Sequence, residues 1–284
     1  MPDQPLSLLD AAVLVFPNIF LFDGGRYVVA TLLMAAIIAL VMRSPWRVRR
    51  LQTRQARAAD YRRELLASLR SVVIYALVST PSLWLTANGY TAGFYQGVPS
   101  WPEALAYVGA LLVAHDTWFY WMHRTIHHRR LFRHVHALHH KSVTPTPFAA
   151  YSFNWLEAVF ESLFVSLWVA FVPTPWIVIF SFLGIMILRN VMGHCGVELM
   201  PKGFADHWFW GLFATTTHHD LHHNGSFNHN FGLYFTVWDR LMGTEHPRYR
   251  EIFREVTSRQ GLPVPVNSGN RPAGGGRTWF PRPR

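Results

Sequence analysis

The chain has 284 residues, of which 50% are apolar and only 15% are charged. That composition excludes a disordered chain, and the single cysteine, Cys195, excludes a disulfide scaffold. The formal net charge is +10, and the sixteen histidines equal Asp and Glu together. All sixteen lie after residue 114, fifteen of them between His115 and His229.

In chain order, Leu6 to Phe22 is apolar but holds Asp10, Pro17 and Asn18, which places it at a membrane interface. The first ten residues lack a basic stretch and no small-residue cleavage site precedes Arg26, so no cleaved leader is expected. Three apolar stretches follow: Tyr27 to Met42, Leu69 to Ala87 and Pro102 to Met122. A helix needs about 20 residues to cross a hydrocarbon core of ~30 Å. The first run is short and draws on Gly25, Arg26 and snorkelling flanks. Trp155 to Val172 and Trp176 to Leu188 are separated by Pro173-Thr174-Pro175. Prolines break a helix, so this segment reads as a helical hairpin. The runs are too long and too poor in charge for core helices of a soluble protein.

Charge gives the orientation. Arg43 to Arg70 holds nine Arg and two acids, Asp60 and Glu64, hence +7, whereas Asn88 to Trp101 holds no charge. Arg124, Arg129, Arg130, Arg133 and Lys141 follow the third run. The excess of Lys and Arg puts these segments, and every histidine cluster, on the cytoplasmic face. The positive charge then serves topology and anionic lipid, not nucleic acid. The expected fold is an all-α integral membrane protein: about three transmembrane helices plus a hairpin, with a histidine-rich helical cap on the cytoplasmic face. Three parts are expected: membrane helices and a basic loop (1–101), a histidine-rich domain including the hairpin 155–190 (102–247), and a basic, disordered tail (248–284).

The histidines fall into spaced clusters. His123 and His127 are at i and i+4 on the third helix. His136, His139 and His140 share the spacing of His219, His222 and His223, and His194 stands alone after the hairpin. Nine buried imidazoles without partners would cost on the order of 10–25 kcal/mol, as much as the whole stability of a domain. Too few acids are present to pair them, and imidazole is the commonest metal ligand. Nine neutral ligands exceed the needs of one ion, so two adjacent metals fit better, and histidine-rich ligation suits iron, zinc, copper or nickel.

Other residues are singled out by position. Asp116, two turns before His123 on the same face, either accepts the outer N–H of a ligand imidazole or pairs with an arginine. Glu157 and Glu161 open the hairpin at i and i+4 and are candidates for the same two roles. Asp239 is expected to contact its neighbour Arg240. Tyr120, Trp121, Phe148, Phe153 and Trp155 are candidate walls of a lipid-shaped cavity, with Phe148 and Tyr120 as substrate-binding candidates. His115 is expected in the core, and His134 and His246 at the surface. Two other classes stay open on the residues alone. One is a membrane zinc hydrolase with Glu157 as general base; the other is a histidine-rich metal-binding or transport protein.

The set HRTIH, HALHH, GHCG and HHDLHH, followed by NFGLYFTVWDRLMGTEHP, resembles the sterol desaturase / fatty acid hydroxylase superfamily. The segment HKSVTPTPFA is similar to the stretch after the second histidine box of sterol C5-desaturases. The resemblance covers roughly residues 110–247. It implies an integral-membrane oxidoreductase with two ferrous ions held by His123, His127, His136, His139, His140, His194, His219, His222 and His223. It favours Glu157 as a carboxylate beside a ligand. It further implies O2 as co-substrate and hydroxylation or desaturation of a membrane lipid, sterol-like or fatty acyl. Electrons would come from a separate protein, a ferredoxin or a cytochrome b5 with its reductase. His229 departs from the aromatic residue expected in the C5-desaturase pattern.

Overall fold

The computed structural model describes residues 5–52 and 54–260. The predicted tail segment 261–284 lies outside the described residues. The chain is mostly helical. Helix α1 (Leu8–Met42) starts at Ser7, whose hydroxyl accepts from the Asp10 N–H at 3.1 Å. A π-helical turn at Ala11–Val15 precedes Pro17. Pro17 has no N–H to give, and a local change of helical register accommodates that loss without ending the helix.

Here the sequence expectation is corrected. The interfacial segment and the first apolar run form one helix, and Arg26 sits inside it rather than at its edge. Asp23 and Arg26 are paired at 2.8 Å, and Arg26 also donates to the Leu183 carbonyl at 3.1 Å. Each charge compensates the other's desolvation, so the helix runs on through them.

Helix α2 (Ala58–Ala87) begins where Asp60 accepts from the Arg57 N–H at 3.0 Å. Helix α3 (Trp101–Ile126) carries Pro102 in its first turn, where no hydrogen bond is lost. The short α4 (Arg129–Val135) leads into the second histidine cluster. Helices α5 (Trp155–Phe171) and α6 (Trp176–Gly193) form the expected hairpin about the prolines. Helix α7 (Thr216–His223) carries the third cluster, and α8 (Val237–Leu241) and α9 (Tyr249–Thr257) follow.

Among the described residues, three helices are long and apolar enough to cross a membrane: α1, α2 and α6. Helix α3, expected as a span, is not among them, because its second half carries His115, Asp116, His123 and Arg124. Helix α5, with 17 residues, is also outside that set.

Two ends of the helical body are fastened differently. At one end Phe94–Tyr95 pairs in parallel with Thr174–Pro175, and the Phe94 ring stacks on Trp176 at 3.9 Å. This ties the uncharged loop to the turn of the hairpin. At the other end the Leu51 N–H donates to the Gly196 carbonyl at 3.0 Å and the Glu198 N–H to the Arg49 carbonyl at 3.1 Å. The Arg-rich loop and the histidines therefore share one end.

The helix α9 corrects the predicted tail. Tyr249, Ile252, Phe253 and Val256 recur at i, i+3, i+4 and i+7, and all four are buried against Leu51, Ala205 and Leu221. This core supports α7 from outside. Phe253→Ala is expected to cost about 3–5 kcal/mol. A clear fall in thermal unfolding temperature of the detergent-purified chain would register it, and an unchanged one would show α9 to be dispensable.

Candidate metal centre

The nine clustered histidines converge into two sets. His123, His127, His136, His140 and His222 form one; His139, His194, His219 and His223 form the other. Within each set the ligand atoms lie within 4.8 Å of one another. Every one of the nine rings is at most 5% exposed.

The repeated spacing explains the division. His136 and His140, at i and i+4, enter the first set, and the residue between them at i+3, His139, enters the second. The third cluster mirrors this: His219 and His223 enter the second set and His222 the first. Each adjacent pair of histidines thus straddles the two sets. The rings of His139 and His140 stand at 90°, and those of His222 and His223 at 85°. Across the sets, His140 and His223 stack at 4.8 Å. The HALHH segment is not the helix its spacing predicts. His136 closes α4 and His139–Lys141 is a tight turn, which frees His139 to point away from its neighbours.

Hydrogen bonds on the outer side of the rings fix which nitrogen faces inward. A carbonyl oxygen only accepts, so Nδ1 of His123 donates to Phe231 (2.9 Å), Nδ1 of His194 to Asn190 (2.8 Å) and Nδ1 of His222 to His229 (2.7 Å). Nδ1 of His136 shares a 2.6 Å hydrogen bond with the Glu157 carboxyl. Burial, reinforced by neighbouring imidazoles, holds His136, His139, His140, His219, His222 and His223 well below the ordinary 6.5, and burial puts His194 at about 4. These rings are therefore neutral at pH 7, and the carbonyl-bonded His123, His194 and His222 present Nε2 lone pairs inward.

Inward nitrogens of neighbouring rings meet at close range. Nε2 of His123 lies 3.0 Å from Nε2 of His136, and Nε2 of His194 lies 3.1 Å from Nε2 of His219. Nε2 of His123 has no proton to give, because its Nδ1 carries the proton to the Phe231 carbonyl. Nε2 of His222 is buried with no partner. A cation in each set would pair these converging nitrogens, so the donor sets fit metal ions. No carboxylate belongs to either set.

A loop holds the outer side of the site. Asn230 adopts a left-handed backbone (φ 61) that few residues other than glycine tolerate. It separates His229 and Phe231, whose carbonyls hold His222 and His123. Asp239 accepts from the N–H groups of Phe231 and Gly232, both at 2.9 Å, and lies 3.3 Å from His218. Asp239 thus turns from the expected Arg240, which pairs with Glu245 instead. A Cβ on Gly232 would collide with the Phe235 carbonyl, which requires glycine there.

Asp116 is also corrected. It accepts from the N–H groups of Tyr234 (2.8 Å) and Phe235 (3.2 Å), not from an imidazole. It anchors the same loop one step further from the rings. Glu157, in contrast, contacts a ring of the first set directly.

Glu198 was not singled out by the sequence. Buried, it accepts from the Thr217 N–H (2.8 Å) and hydroxyl (2.6 Å) and fastens the start of α7, which carries three of the nine rings. Its only signal was an acid shortly after GHCG. Gly193 lets the His219 ring approach, since a Cβ there would lie 3.3 Å from it.

A cavity of about 440 Å³ opens beside the site. Phe119 and Phe153 line it, and their rings lie 5.1 Å from those of His123 and His139, respectively. Of the cavity candidates from sequence, Phe153 alone lines it. Tyr120 instead hydrogen-bonds Thr244 (2.9 Å) and accepts from Arg124 (3.1 Å). The Phe148 carbonyl accepts from Tyr27 and Ser68, and its ring packs on Tyr61. Trp155 is exposed, and Trp121 packs on Trp238. His115 is buried, bonded to Tyr234 at 2.9 Å, and also lines the cavity.

The fatty acid hydroxylase family model matches residues 108–244, the stretch that contains all nine rings. Over that stretch the chain matches the sterol desaturase / fatty acid hydroxylase superfamily. It is 30% identical to lathosterol oxidase of Rattus norvegicus over 65% of this chain and 61% of that protein. It is 30% identical to a Delta(7)-sterol 5(6)-desaturase of Gibberella zeae over 64% of this chain and 50% of that protein. It is 29% identical to methylsterol monooxygenase 1 of Danio rerio over 52% of this chain and 50% of that protein. The chain thus spans half to three fifths of the length of these relatives. No solved structure matches it significantly.

Glu157→Gln keeps an acceptor for His136 Nδ1 but removes its charge. Loss of such an outer partner typically weakens metal binding about 10–100-fold. Chelator competition against purified, metal-loaded chain measures this, and an unchanged retention would deny Glu157 that role.

Proposed function

We propose that this chain is an O2-dependent oxidase that hydroxylates or desaturates a C–H bond of a membrane lipid, using two iron ions. The observation that carries the reading is the sorting of nine buried imidazoles into two adjacent sets, separated from a mainly apolar cavity by Phe119 and Phe153. His123, His127, His136, His140 and His222 would hold one ion, and His139, His194, His219 and His223 the other. Bound iron would supply reductive activation of O2 and removal of hydrogen from an unactivated carbon, chemistry that no side chain performs.

The chain's own residues orient the ligands, exclude water and present the lipid. Glu157, the Asn230 loop, Asp239 and Glu198 keep the rings aimed. Phe119 and Phe153 form the wall between rings and cavity. The names of the relatives, which refer to sterol oxidation, favour a sterol-like substrate over a fatty acyl chain. The hydrolase alternative loses support, because its general base, Glu157, is engaged with the outer nitrogen of His136.

Electrons would come from an acidic carrier such as a ferredoxin or a cytochrome b5. The Arg-rich loop beside the site supports this through charge complementarity. The same positive charge favours a cytoplasmic location for this end.

Lipid mass spectrometry of cells with and without the gene, grown under 18O2, tests the reading. Incorporation of one 18O atom marks hydroxylation, and loss of two hydrogens marks desaturation. No gene-dependent change in any lipid would contradict it.

A further inference from the structure

The cavity beside the metal centre has a mainly apolar lining with scattered Ser and Asn side chains, and its charged groups are Asp23, Arg26 and Glu161. Asp23 and Arg26 form their 2.8 Å ion pair, which cancels their charges. The Arg26 guanidinium lies 5.9 Å from the Tyr151 ring. Tyr151 lines the cavity and is 1% exposed, and its hydroxyl has no hydrogen-bond partner among the described residues. Glu161 lines the same cavity and makes neither a hydrogen bond nor an ion pair among the described residues. Buried polar groups in native proteins are almost always satisfied, and leaving one unpaired costs about 1–3 kcal/mol. The buried Tyr151 hydroxyl and the partly buried Glu161 carboxyl, both lining one cavity, point to a ligand that pairs them.

The placement relative to the metal centre is specific. Glu161 lies four residues beyond Glu157 on α5, about 6 Å of helix rise, and Glu157 contacts His136 at 2.6 Å. Tyr151 precedes by two residues Phe153, whose ring lies 5.1 Å from His139. These polar groups therefore adjoin the imidazoles. Leu14, Val15, Phe94 and Trp176, at the end fastened by the Phe94–Tyr95 pairing, make the remote part of the cavity apolar.

We infer that Tyr151 and Glu161 form a subsite for the neutral hydroxyl of a lipid alcohol, held beside the metal centre. The inference rests on the oxidase reading and narrows its substrate. The tyrosine hydroxyl donates to the lipid oxygen, and the lipid hydroxyl donates to the Glu161 carboxyl. A fatty carboxylate does not match. Arg26 is the one cation lining the cavity among the described residues, and Asp23 already neutralises it. The oxidised carbon then lies within a few bonds of the carbon that bears the hydroxyl, and the apolar tail extends toward Leu14 and Trp176.

The test measures equilibrium binding to the purified full-length chain, without turnover. The probes are cholesterol and 1-hexadecanol, the methyl ether of each, and palmitate. At least one alcohol is expected to bind about ten-fold tighter than its ether, and palmitate is expected to compete poorly. Glu161→Leu should abolish the preference for alcohol over ether. Tyr151→Phe should weaken alcohol and ether alike, because both offer the oxygen that the tyrosine would meet. Iron content should be unchanged in both variants, which reports that they fold. The inference is overturned if neither alcohol binds, if ether or palmitate binds as well as the alcohol, or if both folded variants keep the wild-type pattern. The oxidase reading fails separately, if the alcohol binds with this preference yet no O2-dependent product forms.

Discussion

The structure turns on the crowding of buried imidazole nitrogens against one another. Nine buried rings bring their nitrogens together in a volume that holds no carboxylate ligand. The rings are buried, and Nε2 of His123 brings no proton to its 3.0 Å contact with His136. Cations resolve the conflict, and they explain why the chain supplies so many histidines and so few acids. All-imidazole ligation also leaves the metal charge uncancelled, so the surroundings have to be rigid enough to hold strongly charged ions at the edge of an apolar body.

Much of the architecture serves that rigidity. The loop around Asn230 gives two backbone carbonyls to the outer nitrogens of His222 and His123, and Asp239 and Asp116 fasten the same loop from two sides. Glu198 secures α7, and the core formed by α9 presses on its outer face through Leu221. Several acids of this region hold backbone, one remove from the rings, while Glu157 alone reaches a ring of the metal centre. The same body shapes the cavity, so ligand geometry and substrate access depend on one set of contacts.

The nine rings were legible in the sequence because i, i+3 and i+4 spacing is a local property. Their division into two sets was not, since it depends on His136 ending a helix and His139 turning out of it. Asp116 and Asp239 were misread for a related reason. Their partners are backbone N–H groups distant in sequence or hidden in a loop, and residue types carry no mark of that. The hairpin was announced by its prolines. Helix α1 was cut short because Asp23 and Arg26 look like an edge until their pairing is seen, and α9 was lost in a basic segment although Tyr249, Ile252, Phe253 and Val256 show its period. Cavity walls were the least legible, because Phe148, inside the turn at 147–151, and Phe153, just after it, are alike in sequence and only Phe153 lines the cavity.

The central claim is that two metal ions sit in adjacent, imidazole-only sites. Iron K-edge X-ray absorption on the purified, iron-loaded chain, with iron quantified on the same sample, tests it most directly. The account predicts two irons per chain and a nitrogen-dominated shell with outer-ring scattering from four to five imidazoles per iron, as the two sets contain. One iron per chain, or a shell dominated by carboxylate oxygen with one or two imidazoles, would contradict it.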